Sequence, residues 1–482
     1  MTATDKLSDF KDWISPIIVK ELRQGMRTRL FTAAFIVLQG FMVLFVMIGF
    51  AEGSGSNAGT SGFFWFLISI TLLLVMPLRG FAALSSEIRL NTMDLIALTR
   101  MSSWRITAGK WAALVSQTAL LTVAVLPYVV LRYFFGGVNP ISELFFLGLI
   151  LTVSCVLSAA MVGLSAFPNF LVRALIAVGA SIAAISFSSA MVGMSNENFA
   201  FDDPEFRWGM AAFLSISAFL TYYFLAMGAT RIATEADNYS TLKRLISFLV
   251  TAIVLGLPLI SSSIDSEPCY VIAGILIAFF ALDALTEAPS GVRSLHLPFN
   301  RKGMLGFALQ FLLTPGWFSG VFYVLCLGLM HTVAAVAYGT TDFSWSADQA
   351  ITIGVAITGT LLFPLLIIHL FFTEPKNLFA TYFFVQVAVA AVGFCLLAVQ
   401  DVIPAFMWAG SPIPFVNFLM SVDDSNNNYD SMLLVLALLT LIVTILVCLW
   451  RAAPLIQQIK SFRQDFLAKS QPSPSLSTAT DE

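Results

Sequence analysis

Charge is what this sequence has least of. Asp, Glu, Lys and Arg make up 11% of its 482 residues, where a soluble domain carries about 25%. Apolar residues make up 58%, with 44 Phe. A chain this long cannot hide that much apolar surface from water, so a soluble globular fold is excluded and a polytopic membrane protein is expected. Cysteine is sparse and scattered: Cys155, Cys269, Cys326, Cys395 and Cys448 form no CxxC pair, which excludes a disulfide framework and points to free thiols. His296, His331 and His369 lie far apart with no HxxxH, so a histidine metal site is not expected. For His369, near Glu374, an interfacial histidine with satisfied bonds is favoured over a proton relay. A Walker A run, GxxxxGK[ST], is also missing. Gly109-Lys110 is followed by Trp111, so the chain should bind no nucleotide itself. No Ser/His/Asp constellation replaces it, and an enzyme is not expected.

What the sequence has instead is long apolar runs. Runs of about 20 residues mark spans, at 30–50, 62–84, 107–135, 142–167, 170–193, 208–228, 245–263, 268–287, 317–337, 349–372, 379–400 and 431–450. The segment 402–418 is apolar but broken by Pro404, Pro412 and Pro414, and reads as re-entrant or interfacial. Twelve spans with a cytoplasmic N-terminus put all of the 25 Lys and Arg except Arg132 and Arg207 on the inner side. One span more or fewer would scramble that bias. The localisation expected is therefore a cell (inner) membrane, with both termini cytoplasmic. The polar N-terminal stretch and the length of the first run argue for a retained signal anchor rather than a cleaved signal peptide. The Ser/Thr/Pro-rich tail from Gln471 to Glu482 reads as disordered.

Two cytoplasmic stretches stand out. Ser15 to Phe31, SPIIVKELRQGMRTRLF, is amphipathic. Ile14, Ile18, Leu22 and Met26 fall on one helical face, and Lys20, Arg23 and Arg27 on another. Such a helix lies in the membrane plane, then turns near Arg29 into the first span. The plainer alternative is a set of positive-inside anchors. Ser85 to Lys110, SSEIRLNTMDLIALTRMSSWRITAGK, offers Asn91 as an N-cap for a helix over residues 92–99, with Asp94 at its positive end. Ser103 can cap the span that follows. A purely structural loop would carry the same signals.

Together these stretches resemble the permease subunits of the type-2 ABC exporter superfamily. KELRQGMRTRLF after a Pro, leading into a span, is similar to that family's elbow helix, which would comprise Lys20, Glu21, Arg23, Arg27 and Arg29. Glu87, Thr92, Asp94, Leu95, Ser102, Gly109 and Lys110 match the family's coupling-helix region. Asn91 stands where Gly is usual, and Arg100-Met101 where Pro-Leu is usual. By motif the resemblance covers about residues 10–135, and by layout it reaches residue 244. It implies a six-span permease-like domain over 1–244, to which the apolar runs add six further spans over 245–450 and a cytoplasmic tail over 451–482, the whole fold being all-α. It also implies a membrane subunit that couples ATP hydrolysis on a separate cytoplasmic ABC ATPase to translocation. Glu87, Arg89, Asp94 and Arg100 would contact that partner, ATP would sit on the partner, and two permeases would pair. The basic-then-apolar stretch Arg293–Gln310 faintly echoes an elbow. An accessory membrane extension is preferred over internal duplication. The alternatives are a twelve-span secondary transporter and a non-transporting scaffold derived from a permease.

Other polar residues get structural expectations. Gln39, Gln117 and Gln386 should bond between helices. Asp283 and Glu287, i and i+4 near the end of the eighth span, should be solvated at the interface. Asp424–Asn428 begins like a calcium loop but lacks its Gly and closing Glu, and reads as a polar outer loop. The Asn238 sequon falls on the inner side and should stay unmodified.

Overall fold

A computed structural model describes residues 16–52, 58–89, 101–135, 139–194, 203–234, 237–260, 264–289, 291–339, 345–372, 377–397, 411–422 and 430–470. Among these there is no strand, and twelve helices are long and apolar enough to cross a membrane. The reason is chemical. A backbone in hydrocarbon must bond to itself, and a helix does so within one segment.

The chain divides into two compact units, Met1–Ala233 and Thr234–Glu482. The first opens with a helix at Pro16–Met26. Span 1 (Arg29–Gly49), span 2 (Ser61–Arg89), span 3 (Ser103–Phe134), span 4 (Pro140–Leu164), span 5 (Phe170–Ser189) and span 6 (Phe206–Ile232) follow. Met42, Trp65, Leu72, Leu121 and Ile150, from spans 1 to 4, form its core. Spans 4 and 6 cross backbone to backbone. A Cβ on Gly163 would stand 2.1 Å from the Phe224 carbonyl oxygen, and one on Gly228 would stand 2.8 Å from Gly163 Cα. Only glycine permits that approach, which is how membrane helices gain packing where lipid offers no hydrophobic driving force.

The second unit holds span 7 (Ser240–Ile260), span 8 (Ser266–Ala284), span 9 (Trp317–Tyr338), span 10 (Ala347–Phe371), span 11 (Leu378–Leu396) and span 12 (Ser431–Leu467). Span 10 is the enclosed one, with 72% of its apolar window buried against 28% for spans 11 and 12. In both units, side chains such as Ile36, Met47, Val178, Ile182, Leu329, Val333 and Leu446 stand exposed. A soluble protein would aggregate through such a surface, whereas a bilayer solvates it. The chain is therefore a multi-pass membrane protein.

The boundaries differ from the expected ones in two places, and the stretch after span 8 gains a definite form. The unit boundary falls ahead of residue 244, so Lys243 and Arg244, both buried, stand in the first turns of a helix of the second unit instead of closing the first. The last helix runs unbroken over Asp430–Ser470, roughly 60 Å at 1.5 Å per residue and about twice the thickness of a hydrocarbon core. Much of the predicted tail is thus a helical extension of span 12, and residues 471–482 lie outside the described residues. Finally, the basic stretch after span 8 is a short helix, Arg293–Asn300, followed by Gly303–Leu313. His296 meets Phe462 with ring centroids 5.6 Å apart, and Arg463 lies 4.2 Å over Phe307. The extension of span 12 thus packs on these two helices. Of the broken segment 402–418, residues 402–410 lie outside the described set, and Pro414–Val422 is a short helix.

Candidate functional site

Pro16 opens the N-terminal helix, where its missing N–H costs nothing and its fixed φ suits the first turn. This helix lies along span 3. Ile17 sits over Gly109, where a Cβ would come within 3.0 Å of it, and Gly25 sits over Gln117. The packed face is therefore Ile17, Glu21 and Gly25, one position round from the predicted apolar face. Ile18 and Leu22 are half-buried, Met26 is 38% exposed, and Ile14 lies outside the described residues. Lys20, Arg23, Arg27 and Arg29 are exposed and make a cationic surface.

Glu21 explains why this face is the packed one. Lys110 Nζ, 6% exposed, stands 2.8 Å from Glu21 and 2.8 Å from Glu87. One ammonium on span 3 thus ties the N-terminal helix to the last turn of span 2. The far end of the N-terminal helix is fixed as well. Arg79 of span 2 donates to the Gly25 carbonyl at 2.9 Å, to Thr28 Oγ1 at 3.2 Å and to Gln117 Oε1. A helix C-terminus leaves its last carbonyls without partners, and a guanidinium there supplies both donors and charge.

Span 2 changes helix type just before Arg79. Ile70–Val75 is a π segment, and Arg79–Ala82 is a 3₁₀ turn. Met76 N–H bonds to the Thr71 carbonyl, five residues back. In that register Leu72 would pair with residue 77, which is Pro77 and has no N–H. Ser154 on span 4 donates to the Leu72 carbonyl instead, at 2.5 Å. Irregular turns of this kind mark places where a helix can bend.

Of the residues singled out by sequence, Glu21, Glu87, Gly109 and Lys110 are brought together. Arg89 ends span 2 exposed. Asp94 and Arg100, with Asn91, Thr92, Leu95 and the whole expected helix over 92–99, lie outside the described residues. Ser102, rather than Ser103, caps span 3, accepting from Arg105 N–H at 3.4 Å; Ser103 Oγ instead donates to the Ile232 carbonyl at 3.5 Å. Arg79, Gln117 and the π segment were missed as a unit. Pro77 and Arg79 inside an apolar run were the signal that could have found them.

Two buried charge clusters lie elsewhere. In the first unit, Arg132, fully buried, reaches Glu143 at 2.7 Å and Ser61 at 2.7 Å and lies 4.4 Å over the Phe64 ring. In the second, Asp283 and Glu287 are 1% and 2% exposed, which overturns the expectation that they are solvated. Lys243 stands 2.5 Å from Asp283 and 2.7 Å from Glu287, and Arg244 stands 2.7 Å from Glu287. Arg244 also donates to the carbonyls of Leu312, Thr314 and Gly316. Two cations and two carboxylates leave this cluster neutral, which is what burial demands. Gln39 bonds to the Ala124 carbonyl on span 3 as expected, whereas Gln386 Oε1 is buried without a partner. His331 stacks on Tyr270 at 4.0 Å, and His369 packs on Trp317 at 4.4 Å. Among the described residues no three His, Cys, Asp or Glu side chains gather as a metal site would need.

No family model, curated protein or solved structure matches the chain.

Proposed function

We propose that this chain is the membrane-spanning permease subunit of an ATP-driven exporter. A separate cytoplasmic ATPase hydrolyses ATP, and the segment between spans 2 and 3 receives its motion. The observation that carries this reading is the position of Lys110, 2.8 Å from both Glu21 and Glu87. Glu21 comes from the elbow part of the resembling pattern and Glu87 and Lys110 from the two ends of its coupling-helix part, and they meet at one point. The N-terminal helix is the elbow, lying on the inner leaflet with Lys20, Arg23, Arg27 and Arg29 toward anionic headgroups. A push on the 90–100 segment, through Asp94 and Arg100, reaches Glu87 and Lys110 first. It then passes up span 2 to the π segment, where the helix yields. Rigid short elements feeding a bendable one is how domain motions are passed on. Both termini are cytoplasmic by the positive-inside distribution, and two such subunits form the pathway.

A secondary transporter is the second reading, and the buried charges favour it. Their placement weighs the other way. Arg132 and Glu143 flank the turn between spans 3 and 4, Lys243 and Arg244 open span 7, and Asp283 and Glu287 close span 8. Each cluster is charge-balanced, whereas proton and ion relays place carboxylates near mid-membrane. The test is Asp94→Lys. It should weaken association with the ATPase and lower coupled hydrolysis while the purified protein keeps its melting profile. Unchanged association and hydrolysis would count against the reading.

A further inference from the structure

The first unit contains a cavity that shares only Arg89 with the residues expected to contact the ATPase. It has a volume of about 350 Å³ and lies between the end of span 2 and the turn joining spans 4 and 5. Arg89 and Arg173 line it, together with Ser85 and an apolar wall of Phe81, Ile88 and Phe170. Among the described residues no ion pair joins either arginine to a carboxylate. Arg173 lies 5.2 Å over the Phe81 ring and gives one bond, to the Phe81 carbonyl at 3.3 Å; its Nε is buried with no acceptor. An arginine that served only as a topological anchor would extend into water. This one turns inward beside a second cation, so the cavity carries two positive charges and unused N–H donors.

We infer that the cavity binds an anionic phospholipid, its phosphate held by Arg89 and Arg173 and the first part of its acyl chain against Phe81, Ile88 and Phe170. Guanidinium groups match phosphate oxygens in geometry and charge. A soluble anion would gain nothing from the apolar wall, whereas an amphiphile uses both halves of the site. The location suits a lipid, because Phe170, at the mouth, is 62% exposed at the end of a membrane-spanning helix. Basic pockets between span ends are where anionic headgroups collect. The site does not depend on the permease reading, only on the chain being a membrane protein.

The test is native mass spectrometry of the full chain, purified in gentle detergent and titrated with phosphatidylglycerol, phosphatidylcholine or inorganic phosphate. The wild type should retain phosphatidylglycerol over phosphatidylcholine. Arg89→Gln with Arg173→Gln should weaken phosphatidylglycerol binding by about a hundredfold, as the loss of two charged contacts implies. Arg301→Gln, an exposed arginine of the second unit, should leave it unchanged. Ala82→Trp fills the cavity without removing charge and should abolish the preference; it decides the matter if the double variant does not purify intact. Equal retention of both lipids, or a preference that survives Ala82→Trp, would overturn the inference. Displacement of the lipid by inorganic phosphate at similar concentration would also overturn it, as a soluble-anion site.

Discussion

A single hydroxyl shows how this membrane fold is held. The Leu72 carbonyl loses its backbone partner to the π register and to Pro77, and Ser154 supplies the replacement bond. Ser154→Ala should therefore cost about 1 kcal/mol, within the range for a buried hydrogen bond in a membrane bundle, read as a lower midpoint in denaturant. The Arg132–Glu143 pair is the larger case. Glu143→Leu alone leaves a buried guanidinium uncompensated, which should cost roughly 3–5 kcal/mol. The double variant Arg132→Met/Glu143→Leu should recover much of that loss, and a midpoint as low as the sum of the single variants would argue against a buried, mutually dependent pair. None of these partnerships could be read from the sequence. Lys243 and Asp283 are 40 positions apart, and the i, i+4 spacing of Asp283 and Glu287 suggested a solvated helix end. Only packing sets Lys243 and Arg244 opposite them.

At the scale of elements, the N-terminal helix was legible in kind, and the face it packs on span 3 was not. The amphipathic period predicted a helix, and Pro16–Met26 is one. Sequence periodicity named the apolar and cationic faces but assigned Glu21 no partner, because it does not reveal that a lysine on span 3 pairs with it. Lys110→Met should release this helix. Amide exchange over residues 17–28 should rise severalfold, while exchange in spans 4 and 6 stays as in the wild type. Gly109→Val should do the same by a different route, since a branched side chain there collides with Ile17. No change in exchange for either variant would mean that Arg79 alone holds the helix. The break in span 2 was not legible. Pro77 marked a disturbance, but π and α registers share one composition, and the bond that Ser154 gives the Leu72 carbonyl comes from across the interface.

At the scale of the whole molecule, the number of spans was the most legible feature, because a bilayer requires about 20 apolar residues per crossing and charge avoids the interior. All twelve predicted runs overlap the twelve helices. Their ends were less legible. Polar residues can continue a helix past the membrane, as Arg451 to Lys469 do on the extension of span 12. Arg451 donates to the His369 carbonyl at 3.1 and 3.0 Å, closing the end of span 10. The central functional claim is that the chain works with a separate ATPase, and it is tested most directly by purifying the tagged chain in gentle detergent and identifying its companions by mass spectrometry. A stoichiometric partner carrying Walker A and Walker B motifs is the expected result. A chain that purifies alone, and in liposomes moves solute on an ion gradient without ATP, would contradict it.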